Sequence, residues 1–150
     1  MNALLRRILA TMAMLGSLLG ASPGAAQILP PAKRAERVEI TKGPEFEIAT
    51  DQLTIIRWTT KNPGGADVHY GIVYYGTDPE NLSQTAKSPI RLNQAHPYTT
   101  FRVRINGLKT QTTYYYRVTS EGSDGKSDGV KSSVGTFTTP SSGERIVTHP

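Results

Sequence analysis

The sequence contains no cysteine and only three histidines. Without cysteine, the chain cannot form disulfide bonds, perform thiol chemistry or carry a lipid on an N-terminal cysteine. Its folded part must therefore be held together by a hydrophobic core and backbone hydrogen bonds. The basic residues are also spread along the chain, with no cluster typical of a nucleic-acid-binding tail. The protein is therefore expected to be a domain without disulfide bonds, and a nucleic-acid partner is not expected.

The first 26 residues have the organisation of a secretory signal peptide. A start with two arginines and no acid, "MNALLRR", precedes the apolar run "ILATMAMLGSLLGA" and the small-residue segment "SPGAAQ". Gly24 and Ala26 suit the two positions that signal peptidase reads, which places the cut after Ala26. An uncleaved membrane anchor fits less well, because the apolar run is short and a Pro-rich segment follows. We therefore expect a secreted or periplasmic protein that contacts the membrane only during export.

Two arginines in the predicted signal peptide bear on the export route and on the charge of the mature chain. The pair Arg6–Arg7 is a feature of twin-arginine export signals, but the residues around it fit the general secretory route better. Removal of these two arginines leaves 15 basic and 12 acidic residues, a net charge of +3. That charge is too weak to indicate nucleic-acid binding.

Beyond the signal peptide, the composition divides the chain into three parts. Residues 27–37 are Pro-containing and charged and are predicted to be a linker, 38–140 a domain, and 141–150 a polar C-terminal tail. In the domain, segments rich in Val, Ile, Thr and Tyr alternate with turn-forming Gly, Pro, Asn and Asp. No mature segment has the apolar spacing of a long helix. The predicted strands are Arg37–Thr41, Leu53–Thr60, Val68–Gly76, Thr99–Ile105, Thr113–Ser120 and Val134–Thr139, with a weaker one near Leu82–Ser88.

About seven short strands in about 100 residues predict a two-sheet antiparallel β-sandwich. The alternation is clearest in "TFRVRI", where Phe101, Val103 and Ile105 fall on one face and two arginines on the other. A period of two means that one face meets the core and the other meets water. The segment "YYYRV" follows the same rule: Tyr114 and Tyr116 share one face, and Tyr115 lies on the opposite one.

The stretch "INGLKTQTTYYYRV" resembles the corner between the fifth and sixth strands of a fibronectin type III domain. In that family a tyrosine hydroxyl bonds back to the backbone near the turn. The resemblance makes Tyr114 the corner residue and places Leu108 in the core beneath it. "IIRWTT" resembles the second strand, whose Trp58 is central to the core. The expected fold is all-β: a seven-stranded antiparallel sandwich of the immunoglobulin or fibronectin type III-like kind.

A narrower resemblance covers roughly Val38 to Pro140. "IVYYGTDPENLSQTA", "GLKTQTTYYYRV" and the closing "FTTP" are similar to the N-terminal domain of purple acid phosphatases. The chemistry of that family lies in a second domain, where aspartates, histidines, an asparagine and a tyrosine hold two metal ions. Its blocks, of the type D-x-G, G-D-x-x-Y, G-N-H-E and G-H-x-H, are absent from this sequence. The resemblance therefore implies a fold, and no activity is carried over.

No residue pattern in the mature chain predicts a catalytic, metal or cofactor site. His69, His96 and His149 lack the close spacing that directs two imidazoles at one metal. Asp124 and Asp128 lie in "EGSDGKSDG", but their spacing is not that of a calcium loop, and a flexible hairpin loop is the preferred interpretation. There is no G-x-S-x-G elbow and no phosphate-binding glycine loop. The sequence therefore predicts a protein that is not an enzyme and holds no cofactor.

One face of the predicted sandwich carries a candidate contact surface. In a fibronectin type III-like fold the sixth strand lies between the third and the last. If Val73 and Tyr75 point inward, an aromatic stripe faces outward, beside Thr136 and Thr138 of the last strand. Such apolar patches often mark interfaces. Ordinary cross-strand pairing, or a register shifted by one residue, would also explain the pattern. The stripe comprises Tyr70, Ile72, Tyr74, Tyr115 and Arg117.

Three hypotheses for function remain open. The first is an exported, non-catalytic module for binding, adhesion or spacing, with a protein or a surface glycan as its partner. The second is the N-terminal domain of a purple acid phosphatase-like enzyme without its catalytic domain. The third is a structural subunit that assembles by strand addition, with the tail 141–150 as a short donor. The sequence leaves the oligomeric state open.

Overall fold

The computed structural model describes residues 30 and 32–148, and these residues form strands, turns and loops without a helix. The predicted signal peptide lies entirely outside the described residues, as does His149. No helix in the described part of the chain is long and apolar enough to cross a membrane. The strands are β1 (Ile40–Thr50), β2 (Leu53–Lys61), β3 (Val68–Gly76), β4 (Gln84–Arg91), β5 (Tyr98–Asn106), β6 (Thr113–Gly122), β7 (Gly135–Thr138) and β8 (Arg145–Val147).

The strands form two four-stranded sheets. The first sheet has the order β5-β2-β1-β8 and the second the order β4-β3-β6-β7. All pairings are antiparallel, and β6 lies between β3 and β7 as expected for the fold. The predicted all-β sandwich is thus confirmed. It has eight strands instead of seven, because three residues of the predicted tail add β8 to the edge of the first sheet.

The core lies between the inner faces of the two sheets. Buried side chains of β2 and β5 alternate with half-buried or exposed ones, as the period-two pattern predicts. Trp58 pairs with Phe101 across these strands, and their rings stack with centroids 5.1 Å apart. Opposite them, Gly71 leaves room for Trp58, because a Cβ at this glycine would lie 2.9 Å from the Trp58 ring. The glycine in the middle of β3 therefore permits close packing of the sheets.

The three consecutive tyrosines divide between core and surface. Tyr114 and Tyr116 are buried in the core cluster, and Tyr115 is half-buried on the outer face of β6. The Tyr114 hydroxyl accepts a hydrogen bond from the Lys109 backbone N–H at 3.0 Å, which closes the corner before β6. Leu108 is buried at the same corner. The Tyr116 hydroxyl reaches across the sandwich to the carbonyl of Pro44 at 3.3 Å.

The first strand is longer than its sequence pattern predicts. The expected strand was Arg37–Thr41, whereas β1 runs from Ile40 to Thr50 through Gly43 and Pro44. Its pairing with β2 contains register shifts, and Gly43 adopts a φ of +80°. A strand can absorb such residues at a bulge, where glycine accepts the left-handed conformation. The Gly-Pro pair therefore bends the strand without ending it.

Both segments that flank the predicted domain contact the sandwich. In the N-terminal segment, Arg34 pairs with Asp124 at 3.3 Å, and the Ala35 N–H donates to the Pro63 carbonyl at 2.8 Å. At the other end, β8 pairs with β1, and the Thr148 N–H donates to the Glu47 carbonyl at 3.2 Å. Residues of both flanking segments are therefore in contact with the sandwich.

Candidate functional site: the outer face of the second sheet

The outer face of the second sheet presents tyrosines from two adjacent strands. Tyr70 and Tyr74 lie on β3, and Tyr115 and Arg117 lie on β6; all four side chains are half-buried. Tyr74 is directly opposite Arg117 in the register of the two strands. On the other side of β3, Val73 is buried in the core. The register therefore directs Tyr70, Tyr74 and Tyr115 outward, away from the core side of the sheet.

Ile72 belongs to this face but does not form an exposed part of it. Only 6% of the residue is accessible to solvent, which corrects the expectation of an exposed apolar stripe. Lys87 on β4 and Thr119 on β6 are its cross-strand neighbours. Thr119 in turn donates a hydrogen bond to the Val130 carbonyl at 2.6 Å, so the chain after β6 lies against this face. Ile72 is covered by its neighbours and contributes to packing.

Two lysines lie over the tyrosine rings of this face and add positive charge to it. The Lys87 ammonium lies 4.2 Å from the centre of the Tyr70 ring, and the Lys131 ammonium 5.4 Å from that of Tyr74. Both distances are within the range of cation–π interactions. Lys87 is also paired with Glu121. The sequence pattern missed both lysines, because Lys87 lies on the weakly predicted strand and Lys131 in an irregular segment.

An open cavity of about 520 Å³ lies at one end of this face. One wall comes from β3 and β6, and another from the turn after β3, where Asp78 and Asn81 form a short bridge. The Glu80 N–H donates to the Asp78 carboxylate at 2.9 Å, which fixes the turn. The cavity is thus built from regular strands and a hydrogen-bonded turn. It is lined by Tyr74, Pro79, Glu80, Leu82, Arg117 and Lys131.

Arg117 differs from other arginines of the sandwich in its hydrogen bonding. Its Nε is shielded from solvent and has no hydrogen-bond partner in the described part of the chain. By contrast, Arg57 pairs with Glu45 at 2.6 Å and Arg102 with Glu47 at 2.7 Å on the first sheet. A shielded polar group of a charged side chain without a partner is costly. The cavity therefore contains a guanidinium whose hydrogen-bonding capacity is incompletely used.

Asp124, Asp128 and His69 do not line the cavity. Asp124 pairs with Arg34, and Asp128 accepts hydrogen bonds from the N–H groups of Val38 and Val130. His69 is buried, and burial together with the positive charge of Arg34 lowers the pKa of its imidazole. Within residues 30 and 32–148, no group of three or more His, Asp or Glu side chains is placed to hold a metal ion.

The sheet order, the tyrosine corner and the tryptophan core define a fibronectin type III-like sandwich module. The family described as the purple acid phosphatase N-terminal domain matches residues 48–139, which is more than half of the chain. The chain therefore belongs to this family. The match concerns the domain that precedes the catalytic part of such enzymes and so identifies no catalytic residue. A search of curated proteins found no match.

The similarity of this chain to solved structures is one of fold. The solution structure of the sensor domain of the anti-sigma factor RsgI4 in Pseudobacteroides cellulosolvens is 22% identical, with 73% of this chain and 79% of that chain covered and a TM-score of 0.50. A longer form of the same sensor domain is 23% identical, with 75% and 98% covered and a TM-score of 0.49. The third fibronectin III domain of human KIAA0343 protein is 14% identical, with 82% and 95% covered and a TM-score of 0.36.

Proposed function

We propose that this chain is an exported, non-catalytic binding module whose partner contacts the outer face of the second sheet. The observation that carries the proposal is the cavity, where Tyr74, Arg117 and Lys131 meet on one side of a rigid sheet. Tyrosine and arginine are enriched among residues that dominate binding energy. Half-buried aromatic rings on a sheet also lose little conformational freedom on binding, because they have few rotatable bonds. The partner is a protein or a surface glycan.

The binding proposal is tested with matched tyrosine substitutions. Tyr74→Ser and Tyr115→Ser remove rings from the proposed surface, and Tyr98→Ser is the control, since Tyr98 is 49% exposed on the first sheet. Binding of each purified variant to cell-surface glycans and envelope proteins of the native host is measured by biolayer interferometry. We expect at least about a tenfold loss of affinity for the two surface variants, which corresponds to about 1.4 kcal/mol. Equal binding by all three variants would contradict the proposal.

Family membership favours a second candidate function. The chain would then serve as the N-terminal domain beside a metallophosphoesterase domain supplied by another polypeptide. The test mixes the purified chain with a host protein that carries the missing metal-binding blocks and follows phosphomonoester hydrolysis and complex formation. A stable complex with altered turnover would support this function over the independent binding module.

The export part of the proposal rests on the N-terminal sequence. A positive start, an apolar run and a small-residue site precede Gln27. We predict that protein recovered from its native host begins at or near Gln27. N-terminal sequencing of the secreted or periplasmic fraction checks this, and an intact Met1 on that material would contradict it.

A further inference from the structure

The cavity on the second sheet holds two cationic side chains that lack a counter-ion in the described residues. Arg117 and Lys131 line it, and neither forms an ion pair within the described chain, whereas Lys87 on the same face pairs with Glu121. Glu80 is the one acidic residue in the lining. The lining therefore carries one more positive than negative charge. A partner that enters this cavity meets a local field that favours an anion.

Arg117 indicates which chemical group would fit. Its Nε is shielded from solvent without a hydrogen-bond partner, so part of its desolvation cost is already present before any ligand binds. A ligand without hydrogen-bond acceptors would cover the cavity and leave the guanidinium unpaired at a higher cost, and a neutral acceptor would leave its charge uncompensated. An oxyanion would instead accept hydrogen bonds from the planar guanidinium fork, whose geometry matches carboxylate, sulfate and phosphate groups.

We propose that this cavity binds an oxyanion, a carboxylate, sulfate or phosphate group, with Arg117 as its main hydrogen-bond donor and Lys131 as a second positive charge. This inference rests on the proposed binding function of the same face and names the chemistry that the partner presents there. The cavity of about 520 Å³ exceeds the space that one oxyanion needs. The remaining space lies beside Pro79 and Leu82 and admits the part of a larger ligand that carries the anion.

The site is tested by adding small oxyanions to the purified protein. Sodium sulfate and sodium acetate are titrated in a low-salt buffer while backbone amide shifts are recorded by NMR, with sodium chloride at matched ionic strength as the reference. We expect saturable shifts centred on residues 74, 117 and 131, with dissociation constants on the order of millimolar. Shifts that scale with ionic strength alone, and spread over all basic residues, would overturn the proposal.

Charge-removing variants connect the shifts to the cavity. Arg117→Gln should weaken sulfate binding by at least about tenfold, because a charge-assisted hydrogen bond is lost. Arg104→Gln is the matched control, since Arg104 is exposed on the first sheet and its Nε bonds to Asn106 at 2.7 Å. If Arg117→Gln does not fold, Lys131→Gln replaces it, with a smaller loss expected. Unchanged affinity in the folded cavity variant would overturn the proposal.

Two further arms separate this inference from the proposed function. A sulfated oligosaccharide is compared with free sulfate, and tighter binding of the oligosaccharide through the same amides assigns the oxyanion to a larger ligand. Sulfate that binds at the cavity without competing with the envelope partner would support the oxyanion site and contradict the proposed function. Partner binding that is lost in Tyr115→Ser but unchanged in Arg117→Gln would support the proposed function and contradict the oxyanion site.

Discussion

At the scale of single residues, the tyrosine triplet shows how period-two alternation assigns different roles to neighbours. Tyr114 closes the corner with its hydroxyl, Tyr116 fills the core, and Tyr115 faces outward. Burial, followed by the charge of Glu45, raises the pKa of Tyr116 to about 12, so its hydroxyl stays protonated at physiological pH. Identical side chains thus differ in function because the strand directs them to opposite faces.

Three substitutions in this triplet should have effects of different size. Tyr114→Phe should lower the free energy of unfolding by about 1 kcal/mol, through loss of the corner hydrogen bond. Tyr116→Ala should lower it by about 3–5 kcal/mol, because a large cavity is left in the core. Tyr115→Ala should stay within about 1 kcal/mol, since it loses cross-strand contacts only. Urea denaturation measures all three, and a larger loss for Tyr115 than for Tyr116 would refute the assignment.

His69 should make the stability of the protein depend on pH. It is 1% exposed, and neither ring nitrogen has a hydrogen-bond partner within the described residues. Burial and the charge of Arg34 lower the pKa of the folded imidazole, although the Ala66 backbone and Asp124 act in the opposite direction. The unfolded chain, with a histidine pKa of about 6.5, then binds a proton first as the pH falls. The free energy of unfolding should therefore decrease as the pH falls below about 6.5, until the lower folded pKa is reached.

The prediction is checked by urea midpoints between pH 7.5 and roughly pH 5. His69→Leu should flatten the pH dependence of the midpoint in this interval, because it removes the buried titrating group. His96→Gln is the control for removal of a histidine at an exposed position. A His69→Leu variant with the same slope as the wild type would exclude His69 as the cause.

At the scale of elements, the C-terminal strand protects one edge of the first sheet. β8 pairs with residues Ile48–Thr50 of β1, although all three of its own residues are exposed. The C-terminal tail of the chain therefore already adds a strand to the first sheet of the same molecule. An uncovered edge presents free N–H and C=O groups that can pair with another molecule. This placement disfavours polymerisation through the tail at that site, since the edge of β1 at Ile48–Thr50 is already paired with β8.

Removal of residues 141–150 should therefore have two effects. The free energy of unfolding should fall on the order of 1–2 kcal/mol, because a few edge hydrogen bonds are lost. The freed edge of β1 should also increase self-association relative to the intact protein. Urea denaturation and analytical ultracentrifugation measure the two effects. A truncated protein with the same midpoint and the same sedimentation as the intact one would show that β8 contributes nothing.

At the scale of the whole molecule, membership of the family does not bring the catalytic chemistry for which the family is named. The chain belongs to a family named for a phosphatase, yet the match is to the N-terminal domain. The metal-binding blocks of the catalytic domain are absent from the sequence, and the acids Asp124 and Asp128 serve structural contacts. A shared fold does not by itself confer activity. The family match therefore identifies a domain and assigns no activity to it.

We predict that the purified protein hydrolyses no generic phosphomonoester and contains no stoichiometric iron or zinc. The physical reason is that a metallophosphoesterase needs clustered oxygen and nitrogen ligands, and the sequence does not contain their blocks. Metal analysis and an assay with p-nitrophenyl phosphate measure this. Turnover that copurifies with the protein through several columns, and that is lost on mutation of one of its residues, would contradict the prediction.

The sequence by itself determined the features that depend on local periodicity. Alternation in "TFRVRI" and "YYYRV" assigned the inner faces of β5 and β6, whereas the resemblance to a fibronectin type III domain indicated the corner at Leu108 and Tyr114. The predictions from alternation succeed because side chains of a strand alternate with a fixed period of two. The same rule could not detect continuation of β1 through Gly43 and Pro44, since a bulge has no periodic signature.

Tertiary structure alone decided which members of the predicted outer stripe stay accessible and which other residues join them. Ile72 is buried because Lys87 and Thr119 flank it across two strand pairings, and Lys131 reaches the ring of Tyr74 from an irregular segment. Such contacts depend on the register of strands and on the path of loops, neither of which is encoded in the spacing of any one segment. The cavity beside Arg117 therefore emerges only when the strands and the turn after β3 are assembled.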